Sequence, residues 1–258
     1  MKSKIVILGC GSSVGVPRID GYWGNCDKKN NKNRRLRCSA LIIKGSNSIL
    51  IDTSPDLRQQ LLVNKIKSID RVLYTHLHAD QTHGINDLRV FYLKNKKKIP
   101  VYADYKTKKF LYTTFKYCFT SSPGYPAILE FKKIKKKLTF KSKKDKISIV
   151  NIPVKHGKIN SLCYIINRKL AYASDTNLIF KKDFELFKNL DFLIIDCLWQ
   201  KKIHPSHFNL NQILDLIKII NPKKTILTNM HTDLDYIKLK KILPKNIVPG
   251  YDGMVINL

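Results

Sequence analysis

Short runs of apolar and β-branched residues recur along most of the chain, and they predict a protein rich in strands. The ten predicted strands span residues 4–8, 40–43, 48–51, 71–74, 101–103, 147–152, 162–166, 169–173, 192–195 and 225–227. Apolar residues at helical spacing predict five helices, at residues 56–63, 85–93, 105–117, 209–220 and 233–242. Because strands outnumber helices and many are neighbours in sequence, we expect a mixed β-sandwich with helices on its outer faces.

The chain shows no internal repeat and no tract rich in Pro, Gly and Ser, so we expect residues 1–258 to form one domain. The most lysine-rich stretch, residues 131–146, keeps loosely alternating apolar positions, which predicts an exposed hairpin. The apolar stretch at residues 5–8 is shorter than the ~7–15 residues of a signal peptide's apolar core, and no run reaches the ~18–20 residues that span a bilayer. We therefore expect a cytoplasmic protein without membrane contact.

The charge balance narrows the range of partners. The chain has 48 Lys and Arg against 19 Asp and Glu, a formal net charge of +29. Such a charge attracts anionic ligands and is compatible with nucleic acid. Only eight of the basic residues are Arg, so compositional drift on a solvated lysine-rich surface is the alternative explanation. The six cysteines form no CxxC pair, which predicts free thiols and gives no support to a structural zinc site.

Polar residues that can bind metal ions follow several of the predicted strands. Asp52, His76, His156, Asp175 and His231 each lie at or just beyond the end of a strand. Loops at strand ends often carry binding and catalytic residues. Taken alone, an aspartate at such a point is more often a turn residue than a ligand, so only the whole series predicts a metal site.

The most specific motif is His76-Leu-His78-Ala-Asp80. Two imidazoles one residue apart on a tight loop can bind one metal ion through their ring nitrogens. Asp80, two residues further on, is placed to face a neighbouring ion or a metal-bound water. We therefore expect Asp80 to act both as a ligand and in catalysis.

This ordered series resembles that of metallo-β-lactamase-fold hydrolases. Residues 8–17 (LGCGSSVGVP), 33–39 (NRRLRCS) and 51–58 (IDTSPDLR) are similar to the phosphodiesterase branch of that superfamily, above all to phosphoribosyl cyclic phosphodiesterases, with tRNase Z as a more distant relative. The resemblance implies an α+β fold, a four-layered αβ/βα sandwich with metal ions at one edge. It also implies two divalent ions, Zn²⁺ or Mn²⁺, and a metal-bound hydroxide that attacks phosphorus.

The resemblance implies roles for individual residues. The implied metal ligands are His76, His78 and His156 at the first ion, Asp175 between the ions, and Asp80, Gln81 and His231 at the second. Asp52 would orient a ligand or the backbone. His207 would be catalytic, protonating the leaving alkoxide or binding the scissile phosphate; a polar loop that caps the next helix is the alternative. His83 is expected to have a supporting role, and His204 has no assigned role.

Two departures from the family pattern fall on the second ion. The family has a histidine where this chain has Gln81, and an amide oxygen is a weaker ligand that favours harder ions. The family's late histidine follows its strand directly, but here Asn229 takes that place and His231 comes two residues later. We therefore expect a complete first metal site and a weakened second one.

Several functions stay open at this point. The leading hypothesis is a phosphodiesterase that cleaves a small cyclic or nucleotide-like phosphodiester. The alternatives are a tRNase Z-like RNA 3′-end endonuclease, a non-catalytic nucleic-acid-binding member of the fold, and a thioester hydrolase, because the fold does not determine the chemistry. The expected partners are a small anionic phosphodiester and, as an alternative, nucleic acid; the family resemblance alone implies a second copy of the chain in a homodimer.

Overall fold

The computed structural model describes residues 3–142 and 145–258. Its strands are β1 (Lys4–Gly9), β2 (Ser39–Lys44), β3 (Asn47–Ile51), β4 (Arg71–Leu73), β5 (Ile99–Tyr102), β6 (Leu129–Lys132), β7 (Lys137–Lys141), β8 (Lys146–His156), β9 (Ile159–Ile166), β10 (Leu170–Ala173), β11 (Phe192–Asp196), β12 (Lys224–Thr228), β13 (Ile247–Pro249) and β14 (Val255–Asn257). Within these residues they form two seven-stranded sheets, ordered β14-β1-β2-β3-β4-β5-β6 and β13-β12-β11-β10-β9-β8-β7. All ten predicted strands are confirmed, with shifted ends.

The helices connect the strands within each sheet. They are α1 (Leu57–Val63), α2 (Ala79–Thr82), α3 (Arg89–Asn95), α4 (Tyr105–Thr114), α5 (Lys116–Phe119), α6 (Phe184–Phe187), α7 (Leu210–Ile220) and α8 (Tyr236–Ile242). Short 3-10 turns occur at Asn31–Asn33, Ile85–Leu88 and Lys181–Asp183. The five predicted helices are confirmed, but two are interrupted. The predicted helix 85–93 begins as a 3-10 turn, and 105–117 breaks at Phe115, whose φ of −119° and ψ of 38° are not helical.

Both faces of the first sheet are covered, and alternate side chains of its strands pack on opposite faces. Ile5 and Ile7 of β1 belong to the core between the two sheets, whereas Val6 and Leu8 belong to a second core beneath α1, α3 and α4. Successive side chains of a strand point to opposite faces, so a strand that is covered on both sides reads as a continuous apolar run. This is why β1 could be recognised from its sequence.

Helix α7 covers the outer face of the second sheet. Its buried residues include Ile213, Ile217 and Ile220, which lie on one side of the helix and join the core cluster. A capping box fixes its start, because the Asn209 side chain accepts from the Gln212 N–H and the Gln212 side chain accepts from the Asn209 N–H. Helices on both outer faces and two sheets between them confirm the four-layered α+β sandwich.

The hairpin predicted at residues 131–146 is displaced: its second part, β7, forms an antiparallel hairpin with β8, but residues 131–136 do not take part in it. β6 ends in the first sheet at Lys132, and β7 begins the second sheet at Lys137, where it pairs with β8 instead of β6. Residues 133–136 are therefore the crossing between the two sheets, and Ile134 packs against the core on the way. Lys143 and Lys144, near the end of the predicted hairpin, lie outside the described residues.

The order of the strands determines where polar residues can gather. β3 and β4 are parallel neighbours in the first sheet, and β10, β11 and β12 are parallel neighbours in the second. The carboxyl ends of these strands, and the end of β8, meet at one edge of the sandwich. Within residues 3–142 and 145–258, no helix combines the length and the apolar character needed to cross a bilayer.

Candidate metal centre

The loop after β4 is held by the aspartate that follows β3. Asp52 adopts a φ of 62° and is fully buried. Its carboxylate accepts from the Thr75 backbone N–H at 2.7 Å and from the Thr75 hydroxyl at 2.8 Å. Thr75 Oγ1 also lies 3.0 Å from Nδ1 of His76. Because the hydroxyl proton points to Asp52, Nδ1 of His76 is the donor in this contact, and its Nε2 keeps a free lone pair.

A backbone carbonyl orients His156 in the same way. At the end of β8, Nδ1 of His156 donates to the Ser206 carbonyl oxygen at 2.7 Å, which leaves Nε2 free for a ligand. The next residue, Gly157, has a φ of +59°, and a Cβ there would lie 2.9 Å from Cβ of Ser206. Glycine therefore permits the close approach of the 206 loop that positions the imidazole.

Three imidazole nitrogens converge at this edge. His78 Nδ1 lies 3.0 Å from Nε2 of His76 and 3.2 Å from Nε2 of His156. Burial lowers the pKa of all three histidines, for His76 to about 3, although the charge of Asp175 opposes the effect. Neutral imidazoles with lone pairs directed at one point form a donor set that suits a divalent transition metal. These residues fit the first metal ion implied by the resemblance.

Asp175 lies beside the three histidines, directly after β10 and almost fully buried. Burial would raise its pKa, but His76, His156 and His207 outweigh that effect and lower it, so the carboxylate is charged. Its Oδ2 accepts from the Gln81 amide at 3.2 Å, and its Oδ1 accepts from the Asn229 amide at 3.1 Å. The residue implied to lie between two ions is therefore in place, but its two oxygens already accept from amides.

A second imidazole–carboxylate pair completes the site. His207, three residues before α7, donates from Nδ1 to Oδ2 of Asp196 at 2.6 Å. Burial alone would lower the pKa of His207, but the charge of Asp196 and its hydrogen bond raise it to about 9. Asp196 was not singled out from the sequence, although it ends β11 just as Asp52 and Asp175 follow their strands.

A cavity of about 280 Å³ lies over these groups. Its lining includes His78, Asp80, His156, Asp175, Trp199, His204, Ser206, His207, Asn229 and His231. Asp80 lies in the first turn of α2, where burial, followed by the charge of Asp175, raises its pKa to about 6. The cavity is small and polar, with several groups that can hold or move a proton.

The remaining histidines lie further from the centre. The rings of His204 and His231 flank Trp199 at centroid distances of 5.1 and 6.0 Å. His83 packs edge-on against Phe115, with 5.2 Å between ring centroids.

Among the residues that the structure describes, two groups of His, Cys, Asp or Glu could hold an ion. They are His76, His78 and His156, and His156, Asp175 and His207. Asp80 and His231 belong to neither, and Asn229 occupies the place beside Asp175. The first-ion ligands thus meet, whereas the residues named for the second ion do not form such a group.

Comparison with known proteins gives matches over most of the chain. A family model described as a beta-lactamase superfamily domain matches residues 47–230. A curated protein of Porphyromonas gingivalis (strain ATCC BAA-308 / W83), named octanoyltransferase, is 32% identical over 255 residues, which is 97% of this chain and 51% of that protein. The chain therefore spans about half the length of this relative.

Solved structures are similar over the whole chain. The crystal structure of a new diphosphatase from the PhnP family is 30% identical, with a TM-score of 0.90 and coverage of 100% of this chain and 98% of that one. The short form of human tRNase Z is 16% identical, with a TM-score of 0.67 and coverage of 98% of both chains. The second likeness concerns the fold alone.

Proposed function

The chain belongs to the beta-lactamase superfamily, and on that premise we propose that it is a metal-dependent phosphodiesterase acting on a small cyclic or nucleotide-like phosphodiester. The observation that carries the proposal is the convergence of His76, His78 and His156, whose ring nitrogens lie 3.0 and 3.2 Å apart. Two of these rings are held through Nδ1: the ring of His76 by the Thr75 hydroxyl and the ring of His156 by the Ser206 carbonyl oxygen. Such fixed tautomers are typical of metal-binding histidines.

His76, His78 and His156 would hold a divalent ion, which would supply positive charge to polarise a phosphoryl oxygen and to make a nearby water more acidic. Asp80, at the cavity wall, accepts the proton of the attacking water. His207 is cationic below its raised pKa of about 9, so it carries a proton on Nε2 as well as the one that Nδ1 donates to Asp196, and it gives the Nε2 proton to the leaving oxygen. The excess of lysine attracts the anionic substrate, and the ~280 Å³ cavity favours a small one.

The experiment compares three substrates with the metal-loaded protein: bis(p-nitrophenyl) phosphate, a cyclic nucleotide-like phosphodiester and an acyl thioester. Turnover of the two phosphodiesters, with little thioester cleavage, is the expected result. Turnover of the thioester alone would replace the proposal with the thioester-hydrolase alternative.

A second candidate function is a tRNase Z-like endonuclease, and the net charge of +29 favours it. Precursor tRNA distinguishes the candidates. Cleavage at the 3′ end would support the endonuclease, whereas binding without cleavage, together with inactivity on every phosphodiester, would support a non-catalytic nucleic-acid-binding protein.

Three further expectations belong to this proposal. We propose that the whole chain is one domain, tested by a single cooperative unfolding transition, and that it is a homodimer, tested by light scattering. We also propose a cytoplasmic location, with the six buried cysteines as free thiols. No acyl transfer is proposed, because about half of the octanoyltransferase lies outside its match with this chain.

A further inference from the structure

This chain departs from the family pattern at two positions, and the side chains at both donate hydrogen bonds to the carboxylate of Asp175. Gln81 and Asn229 stand where the family has histidines, and both are buried. The Gln81 amide donates to Oδ2 of Asp175 at 3.2 Å, and the Asn229 amide donates to Oδ1 at 3.1 Å. Each oxygen that would bind a second ion is thus engaged by an N–H group.

The orientation of the Asn229 amide follows from its surroundings. Its nitrogen lies 3.0 Å from the Ser174 carbonyl oxygen as well as 3.1 Å from Oδ1 of Asp175. The Ser174 carbonyl oxygen can only accept, so the NH₂ group must face it, and the same nitrogen then reaches Oδ1 of Asp175. Turning the amide to offer its oxygen to an ion would break both hydrogen bonds and place oxygen against oxygen.

Gln81 presents a competing arrangement. Its Oε1 is buried and has no hydrogen-bond partner among the described residues. A rotation of this amide could offer Oε1, with the Asp80 carboxylate, to a hard cation. That arrangement would supply two oxygen donors, while Asn229 still engages the Asp175 carboxylate. Zn²⁺ or Mn²⁺ takes roughly four to six ligands, so the protein would supply fewer than the ion requires.

We propose that this chain binds a single divalent ion, held by His76, His78 and His156, and that the Gln81 and Asn229 amides take the place of the second ion. The inference rests on the proposed function only in that the histidine site must bind a metal. The amides keep Asp175 in position without adding positive charge. The centre therefore differs from the two-ion arrangement that the family resemblance implies.

Metal stoichiometry tests the inference without reference to activity. After equilibrium dialysis against Mn²⁺ or Zn²⁺ in excess of the protein, plasma mass spectrometry counts the ions per chain. The expected count is one for the wild-type chain and two for the double variant Gln81→His/Asn229→His. The expected electron paramagnetic resonance spectrum of the Mn²⁺-loaded wild type is that of an isolated ion, whereas the double variant should show an exchange-coupled pair.

The outcomes separate this inference from the proposed function. Two ions in the wild type, or a coupled Mn²⁺ pair in its spectrum, would overturn the single-ion centre and leave the hydrolase proposal standing. No bound metal, together with no turnover, would overturn both. Gln59→His, at an exposed glutamine of α1, controls for a surface histidine and should keep a count of one. The wild-type count decides the question even if the double variant fails to fold.

Discussion

Oδ2 of Asp196 accepts a hydrogen bond from Nδ1 of His207 at 2.6 Å, within a carboxylate that is fully buried at the end of β11. The Thr176 backbone N–H donates to the same oxygen at 2.9 Å and fixes it in place. The imidazole therefore keeps its Nε2 for the cavity, and its ring centroid lies 4.7 Å from that of His156. A charged partner behind a catalytic imidazole both orients the ring and stabilises its protonated form.

Asp196→Asn should lower kcat by ~10²–10⁴-fold while leaving the metal content unchanged. In the wild type we expect kcat to fall as pH rises through about 9, because His207 must carry a proton to protonate the leaving group. Without the charge of Asp196, that fall should move to lower pH. The kcat profile between pH 6 and 10 measures both effects. Asp215→Asn, at an exposed residue of α7, serves as the control, and an unchanged profile in Asp196→Asn would remove His207 from its role.

Thr75→Val should weaken metal binding by ~10–100-fold. The substitution keeps the shape of the side chain but removes the hydroxyl between Asp52 and His76, so the His76 ring loses its fixed tautomer. Competition with a chelator measures the affinity, and Thr139→Val, at an exposed position of β7, is the matched control. Equal affinity in the two variants would show that the hydroxyl does not act on the metal ligand.

Nucleic-acid binding, where it occurs, should be electrostatic and should depend on the lysines of residues 131–146. Replacement of Lys133, Lys135, Lys137 and Lys141 by Gln should reduce the slope of log affinity against log salt by ~0.9 for each duplex phosphate that the variant no longer neutralises. Fluorescence anisotropy at several salt concentrations gives the slope. Replacement of Lys218 and Lys240, which are exposed on α7 and α8, tests whether the loss of other exposed lysines changes the slope in the same way. A wild-type protein without affinity at low salt would identify the charge as compositional drift.

Asp252 should make folding stability depend on pH. It accepts from the backbone N–H groups of Cys10 and Leu36, yet burial outweighs these bonds and raises its pKa to about 7. A raised pKa in the folded state gives stability that is complete below the ordinary pKa near 4 and is lost as pH rises to about 7.

In chemical denaturation, Asp252→Asn should therefore gain stability relative to the wild type between pH 4 and 7, on the order of 1–4 kcal/mol. The comparison at each pH cancels the titration of the other carboxylates. A difference between the two proteins that is the same at pH 4 and pH 8 would contradict the raised pKa.

The sequence was sufficient for the elements whose signal is local. Strand β1 and helix α7 carry apolar patterns long enough to be recognised, and His76 and His78 are separated by only one residue on one loop. β13 and β14 were missed because three-residue edge strands have too few positions to form a pattern. The lysine run was misassigned because sequence alternation does not reveal which sheet a strand joins.

The residues around a second metal position could not be identified from their spacing in the sequence alone. Asn229 follows β12 with a φ of 59°, and this turn directs its amide to Asp175 while His231 moves to the rim beside Trp199. Asp196 was missed because its role depends on the hydrogen bond to His207, and the sequence does not show that these two residues are in contact. Both points depend on contacts between residues far apart in the chain.

Hydrolysis of bis(p-nitrophenyl) phosphate before and after metal removal measures whether the activity depends on a metal ion at the histidine site. Chelation should reduce turnover to background, and titration with Mn²⁺ or Zn²⁺ should restore it. His78→Ala should stay folded by circular dichroism, bind no ion at the histidine site and remain inactive at every metal concentration, because it removes the nitrogen that lies within 3.2 Å of both other imidazoles. Turnover that survives chelation, or a His78→Ala variant with the wild-type rate and metal content, would contradict the account.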